Sequence, residues 1–351
     1  MRTRGIIENL EAGSVTVGEI APAAKGLLGL GLGAGLVGAA VWALRYAVRP
    51  PTKERIPETL TPAKFTLKSF QSSQGQTIYH EGGLAGGPEP TLVFVHNVGV
   101  GASSYDWSKV YPAFAERHRV LAPDLLGFGE SERPKVKLTA ADYAAALAEF
   151  VEGLCAEEGR KPVIIARGQG AGFAALMAAQ HPEAASRLVL WMPSGKAQVP
   201  LWLNLASRIP PLNNFIYRNR LARRATIRRR FEAPGAFVDP GAVTAEMVEM
   251  HAICAQQYQA DYAIFRLMQG RLSFDLEACW RQLQTPATVL VPSLLSEGSA
   301  AQATRLQAAN PGCTLRTVAD AGPFAPLEAP GKVIDVLRDE LENVSYSRKA
   351  G

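Results

Sequence analysis

Few residues in this chain have the type and spacing that chemistry needs. Its five histidines, His80, His96, His118, His181 and His251, are scattered. So are its four cysteines, Cys155, Cys254, Cys279 and Cys313, with no CxxC pair and no zinc spacing. They read as buried or incidental thiols of a reducing compartment. No metal cluster and no cofactor motif is present. The run Gly168-Gln169-Gly170-Ala171-Gly172 is rich in glycine but has neither Walker nor dinucleotide spacing. Four short segments each follow an apolar run: His96-Asn97-Val98-Gly99, Asp124 to Ser131, Arg167 to Gly172, and Ala321 to Pro330. In open α/β sheets ligands sit beyond the carboxyl ends of the strands, so any site would be assembled from these four.

The elements that must hold them follow from hydrophobic periodicity. Phe65–Phe70 and Thr77–Glu81 alternate around Gln74-Gly75-Gln76, which predicts a hairpin. The continuous apolar run 91–95 predicts a strand covered on both faces, and further strands are predicted at 120–123, 162–166, 188–191, 287–291 and 314–318. Helices are predicted over 107–117, from Thr139 to about Cys155, and over 171–181, 300–309 and 331–342. The second is opened by Thr139-Ala140-Ala141-Asp142, a helix-start signature. Strands alternating with helices imply a mostly parallel sheet. Residues 196–283 interrupt it as a helix-rich insertion.

In their order along the chain, the four segments resemble the α/β-hydrolase superfamily over roughly residues 65–345. The stretch Asp124-Leu125-Leu126-Gly127-Phe128-Gly129-Glu130-Ser131 and the ending Leu327-Glu328-Ala329-Pro330 carry the resemblance, which implies that 196–283 is a helical cap. Val238-Asp239-Pro240 and the stretch Val243 to Val248 resemble caps of bacterial and plastid members. The resemblance also implies a catalytic triad, and here the chain departs. The nucleophile elbow of that family reads Gly-x-Ser-x-Gly, and reading it onto Gly168–Gly172 puts Gly170 at the nucleophile. The Gly-His expected after the last strand is Gly322-Pro323, and proline cannot move a proton. The acid position aligns with Leu295, with Glu297 two residues on. A triad acts as one unit, so losing one member typically costs on the order of 10⁶ in turnover.

Other residues near the expected cleft are His96, Asn97, Asp124, Gln169, Ala171 and His251. His96 belongs to the oxyanion loop and is expected to be structural. Asp124 is expected to fix its own loop. His181 precedes Pro182 as a helix cap, and Ser103 and Ser104 start a helix. His251 lies in the cap, from which it could reach the pocket.

The N-terminus carries a second signal. From Gly26 to Leu44 there is no charge, and Lys25 and Arg45 bracket the run. It is long enough to span a hydrocarbon core of about 30 Å. The 25 residues before it include Glu8, Glu11 and Glu19, which argues against a cleaved leader. Gly29/Gly33 and Gly31/Gly35 have the spacing at which another helix packs closely, so an integral-membrane partner is expected there. Arg45, Arg49, Lys53 and Arg55 place the large domain on the cytoplasmic or stromal side. The expected layout is an arm at 1–25, a transmembrane helix at 26–48, a linker at 49–64, a core at 65–195 and 284–345, and the cap at 196–283.

The chain has 351 residues, 47% of them hydrophobic and 20% charged, enough for one large folded domain. Its net charge of +5 comes with no nucleic-acid motif. Within the cap, Arg218, Arg220, Arg223, Arg224, Arg228, Arg229 and Arg230 crowd together with apolar residues between them, which suits an anionic lipid surface. The leading expectation is a membrane-anchored α/β-hydrolase-like pseudoenzyme that needs no cofactor. It would serve as a binding or scaffolding subunit, with membrane lipid as one partner and its vestigial pocket open to an apolar ligand. Two alternatives stand beside it. One is an active hydrolase of a small apolar ester using His251, Asp124 or Glu297, and the other is a small-ligand sensor.

Overall fold

A computed structural model describes residues 38, 48–51, 56, 62–156, 159–294 and 297–349 of the chain, which divides into two units, Met1–Ala47 and Val48–Gly351. The fold described below is that of the second unit. The run 26–44 lies outside the described residues apart from Gly38, as do Leu295 and most of the linker. Among the described residues no helix is long and apolar enough to cross a membrane.

Eight strands form one sheet: β1 (Phe65–Ser72), β2 (Gly75–Gly83), β3 (Leu92–Val95), β4 (Arg119–Pro123), β5 (Val163–Arg167), β6 (Arg187–Trp191), β7 (Ala287–Pro292) and β8 (Thr314–Val318). Their spatial order is β1-β2-β4-β3-β5-β6-β7-β8. β2 pairs antiparallel with both β1 and β4, so it alone runs against the sheet, and every pairing from β4 to β8 is parallel. The central strands are buried along their whole length, as their continuous apolar runs require. Alternate side chains still separate into two layers. Val93 and Val95 enter one core, while Leu92 and Phe94 enter the other.

On the first face pack α1 (Ala140–Cys155) and α2 (Gly168–Gln180). The start of α1 is fixed by a capping box in which the Asp142 carboxylate accepts the Thr139 N–H at 2.7 Å. On the second face Trp107, Tyr111 and Phe114 pack with Val333 and Leu337. The helix expected over 107–117 is instead two 3₁₀ turns, Ser104–Trp107 and Tyr111–Phe114. Pro112 has no N–H to donate to a continuing helix, and its ring clashes with the preceding turn. Ser103 caps the first of these turns.

Between β6 and β7 the chain forms α3 (Leu201–Ala206), α4 (Pro210–Ile216), a π-turn (Tyr217–Leu221), α5 (Arg224–Phe231), α6 (Ala245–Gln256), α7 (Asp261–Met268) and α8 (Leu276–Gln282). The buried Tyr217 hydroxyl ties this cap together by donating to the carbonyls of Ala255 and Ala260 at 2.9 and 3.2 Å. After β7 come α9 (Glu297–Ala309), α10 (Ala325–Glu328) and α11 (Pro330–Lys349).

Candidate functional site

The carboxyl ends of β3 and β4 are joined by buried polar groups. His96 Nε2 accepts the Leu125 N–H at 2.8 Å, so Nδ1 carries the proton, which it donates to the Asn97 carbonyl. Burial lowers the pKa of His96, in keeping with a neutral ring. Asp124 accepts the N–H groups of Ser104 and Glu130 at 2.6 and 2.8 Å. Ser131 Oγ donates to the Asp124 carbonyl at 2.6 Å. Neither His96 nor Asp124 is free for proton transfer, and each has the structural place expected of it.

The turn from β5 into α2 corrects the reading of the elbow. Arg167 ends the strand with extended backbone, and Gly168 has φ +57° and begins the helix. An elbow places its nucleophile on this strained strand-to-helix turn, so the equivalent position is Gly168 and not Gly170. The pentapeptide that matches Gly-x-Ser-x-Gly is therefore Ala166-Arg167-Gly168-Gln169-Gly170. Gly170 does something else. A Cβ there would meet the His96 carbonyl oxygen at 2.0 Å, so this glycine lets α2 approach β3 and has no room for serine. Ala171 is packed in the core.

What fills the space over Gly168 is Asn97. A Cβ on Gly168 would lie 2.1 Å from Asn97 Oδ1, and the same oxygen accepts the Gln169 N–H at 2.9 Å. In an elbow the N–H after the nucleophile belongs to the oxyanion hole. Here a side-chain oxygen of the chain itself already holds that donor. The Gln169 side chain donates to the Leu272 carbonyl at 2.7 Å, linking the turn to the cap.

After β8, the Pro323 carbonyl accepts from Arg167 Nη2 at 3.0 Å and from Trp191 Nε1 at 3.3 Å. Arg167 is buried and stacks over Phe324, 4.9 Å from the ring centre. Its Nη1 lies 3.1 Å from Asp106 Oδ2, an ion pair whose N–H is not aimed along a hydrogen bond. Asp106 Oδ2 also accepts the Asn97 N–H, and Oδ1 lies 3.4 Å from His251 Nε2. Burial alone would raise the Asp106 pKa, but Arg167 and His251 outweigh it and hold the carboxyl well below the usual range. The other nitrogen of His251 contacts the Met247 carbonyl at 2.8 Å. His251 is thus packed into this network and does not face a cleft.

Sequence reasoning missed Asp106 and Arg167. The available signal was a charged residue ending the otherwise apolar run PVIIA.

A cleft of about 410 Å³ opens beside the network. Asn97, Gln169, Trp191, Ser194, Pro323 and Phe324 are among its lining residues. His96, Asp124, Gly170, Ala171 and His251 do not line it, contrary to expectation, because their side chains or backbone are buried in contacts within the fold. Leu295 lies outside the described residues. Metal-type spacing does occur once among the described residues. Glu152, His181 and Glu183 bring three ligand atoms within 4.8 Å, but exposed acidic groups commonly do so without an ion.

The cap arginines divide. Arg218 pairs with Asp261, Arg224 with Glu249 and Arg228 with Glu232. Arg230 donates to the Val100 carbonyl at 2.8 Å. Arg220, Arg223 and Arg229 are exposed. Four of the seven are therefore engaged in contacts within the fold.

Several known proteins are similar to this chain. An uncharacterized protein of Mycobacterium tuberculosis is 34% identical over 104 residues, 30% of this chain and 29% of that one. The 2-hydroxymuconate semialdehyde hydrolase of Pseudomonas sp. is 37% identical over 121 residues, 34% of this chain and 41% of that one. The chain thus aligns with well under half the length of these curated relatives. The crystal structure of Cfl2 from Burkholderia cenocepacia is similar in fold, with a TM-score of 0.64 at 23% identity over 82% of this chain and 98% of that one. The family model described as alpha/beta hydrolase family matches residues 92–336, most of the chain. With its sheet order, its β5–α2 elbow and this match together, the chain belongs to the alpha/beta hydrolase family.

Proposed function

We propose that this chain is a catalytically silent α/β hydrolase, held at a membrane, that works as a binding or scaffolding subunit of a membrane assembly. One observation carries the silence: Asn97 Oδ1 occupies both the space over Gly168 and the Gln169 N–H. With no hydroxyl at Gly168 there is no attacking atom, and with Pro323 after β8 there is no base to deprotonate one. The membrane half of the reading is supported by the uncharged run 26–44 and the basic residues after it. The cleft falls within the size range of ligand sites and has apolar walls at Trp191, Val289, Leu306 and Phe324, which supports the retention of an apolar ligand or lipid.

A second reading, an active hydrolase, draws on the relative named as a hydrolase and on Ser194 in the cleft wall. The Ser194 hydroxyl donates to the Lys196 carbonyl at 2.7 Å, and no histidine lines the cleft among the described residues.

The test is a fluorophosphonate label together with an ester-turnover assay. Neither label nor turnover is expected. Stoichiometric labelling that Ser194→Ala removes would favour the second reading. For the membrane half, full-length protein should stay with membranes through a high-salt wash, and a chain lacking residues 1–48 should be released by it.

A further inference from the structure

The described residues include eleven exposed large hydrophobic side chains, and four of them fall within nine positions of the cap. Leu201 is 74% exposed, Trp202 63%, Leu205 55% and Ile209 50%. They share the outer side of α3 and the turn after it. The inner side is held to the fold by Leu203, which packs on the core, and by Asn204, whose amide donates to the Met268 carbonyl at 2.8 Å. The cap therefore presents an apolar strip on a fixed support. Isolated exposed apolar residues need no explanation, but a contiguous strip does.

Charge identifies what covers it. Between Glu183 and Glu232 the chain has no acidic residue and ten basic ones. Of these, Lys196 and Arg208 are exposed on either side of α3, and Arg220, Arg223 and Arg229 are exposed further along the cap. An apolar strip that includes a tryptophan, in a segment whose charged residues are all cations, matches an anionic lipid surface. The apolar side chains enter the acyl boundary and the cations face the head groups. A protein groove would not call for the exclusion of every carboxylate over this length.

We propose that the cap docks on an anionic membrane through Leu201, Trp202, Leu205 and Ile209. Lys196, which lines the cleft, lies five residues before this strip, so docking brings the cleft toward the lipid. The contact is read from the cap alone and does not depend on residues 26–44 or on the silence of the site.

The test uses the full chain with Leu205→Cys carrying an environment-sensitive fluorophore. Labelling is selective because all four native cysteines are buried. The expected result is a blue shift on vesicles containing phosphatidylglycerol, little shift on phosphatidylcholine alone, and reversal by high salt. Trp202→Glu, or Arg208→Gln with Arg220→Gln and Arg223→Gln, should remove the shift, since each basic residue near the surface changes binding about fivefold. The same label at Leu67→Cys on β1 should not respond. An equal shift on neutral vesicles or at Leu67 would overturn the proposal. So would a shift that needs no lipid and grows with protein concentration, which would assign the strip to a second copy of the chain. These outcomes leave the fluorophosphonate result untouched, so the two readings fail separately.

Discussion

Two buried aspartates, Asp124 after β4 and Asp106 after β3, show how differently one residue type can be held. Asp124 is satisfied by backbone alone, by the N–H groups of Glu130 within its own loop and of Ser104 after β3. Gly129 (φ +49°) lets the chain fold back over it, since a Cβ there would meet the carboxylate at 2.0 Å. Asp106 is satisfied mainly by charged side chains remote in sequence, Arg167 from the end of β5 and His251 from α6, with the nearer Asn97 N–H beside them. The Asp124 loop keeps the family's Asp-x-x-Gly-x-Gly-x-Ser pattern because its hydrogen bonds build a turn, whatever the chemistry. The Asp106 network occupies ground beside the elbow and the β8 loop, where the resemblance implies a triad. The Asp124 loop thus keeps the family pattern, while beside the elbow Arg167, Asp106 and His251 pack against one another.

The largest effect should come from breaking the remote network. Asp106→Ala leaves Arg167 as an unpaired buried charge and should cost about 3–5 kcal/mol in denaturant unfolding. The pH dependence sharpens the point. The Asp106 carboxyl is lowered in the folded protein, so its stabilisation is fully present above the unfolded value of about 3.9 and is lost as pH falls through the folded value. Asp106→Asn should therefore remove part of the acid limb of a stability–pH profile. Parallel profiles for variant and wild type would contradict the ion-pair account.

Asp124→Ala should cost somewhat less, about 3 kcal/mol, for two buried N–H groups left without an acceptor. The loss is read as a shift of its unfolding midpoint in denaturant. A larger loss than for Asp106→Ala would invert the comparison.

Next come the two glycines of the elbow. Gly170→Ser sets a Cβ against backbone, which cannot yield easily, and should cost about 2–3 kcal/mol. Gly168→Ser meets the Asn97 side chain, which can be removed. In an Asn97→Gly background its cost should fall to the roughly 1–2 kcal/mol of a non-glycine residue at positive φ. A double-mutant cycle between positions 97 and 168 measures this coupling, and an additive result would mean that Asn97 does not plug the elbow.

The smallest effect concerns chemistry. Gly168→Ser with Asn97→Gly and Pro323→His rebuilds hydroxyl, donor and imidazole. Weak fluorophosphonate labelling of this triple variant, absent from each single variant, is the expected outcome. Labelling of Gly168→Ser alone would reveal a base already in place.

The sequence alone determined the strands of the sheet, because short apolar runs of strand length alternate with longer helical segments. It also determined the start of α1 at Thr139 and the Asp124 loop, since each depends on residues close together in the chain. The register of the elbow was not legible. Gly168-Gln169-Gly170-Ala171-Gly172 contains two overlapping Gly-x-Gly patterns, and only the end of β5 and the positive φ of Gly168 choose between them. The helix over 107–117 was misread because its apolar spacing outweighed Pro112. Tertiary structure alone decided the Asn97 plug, the Arg167–Asp106–His251 network, the burial of His251 and the exposed strip at 201–209. In each case the deciding partner is distant in sequence, or the decision is which side of a helix finds a neighbour. Periodicity along one segment does not contain that information.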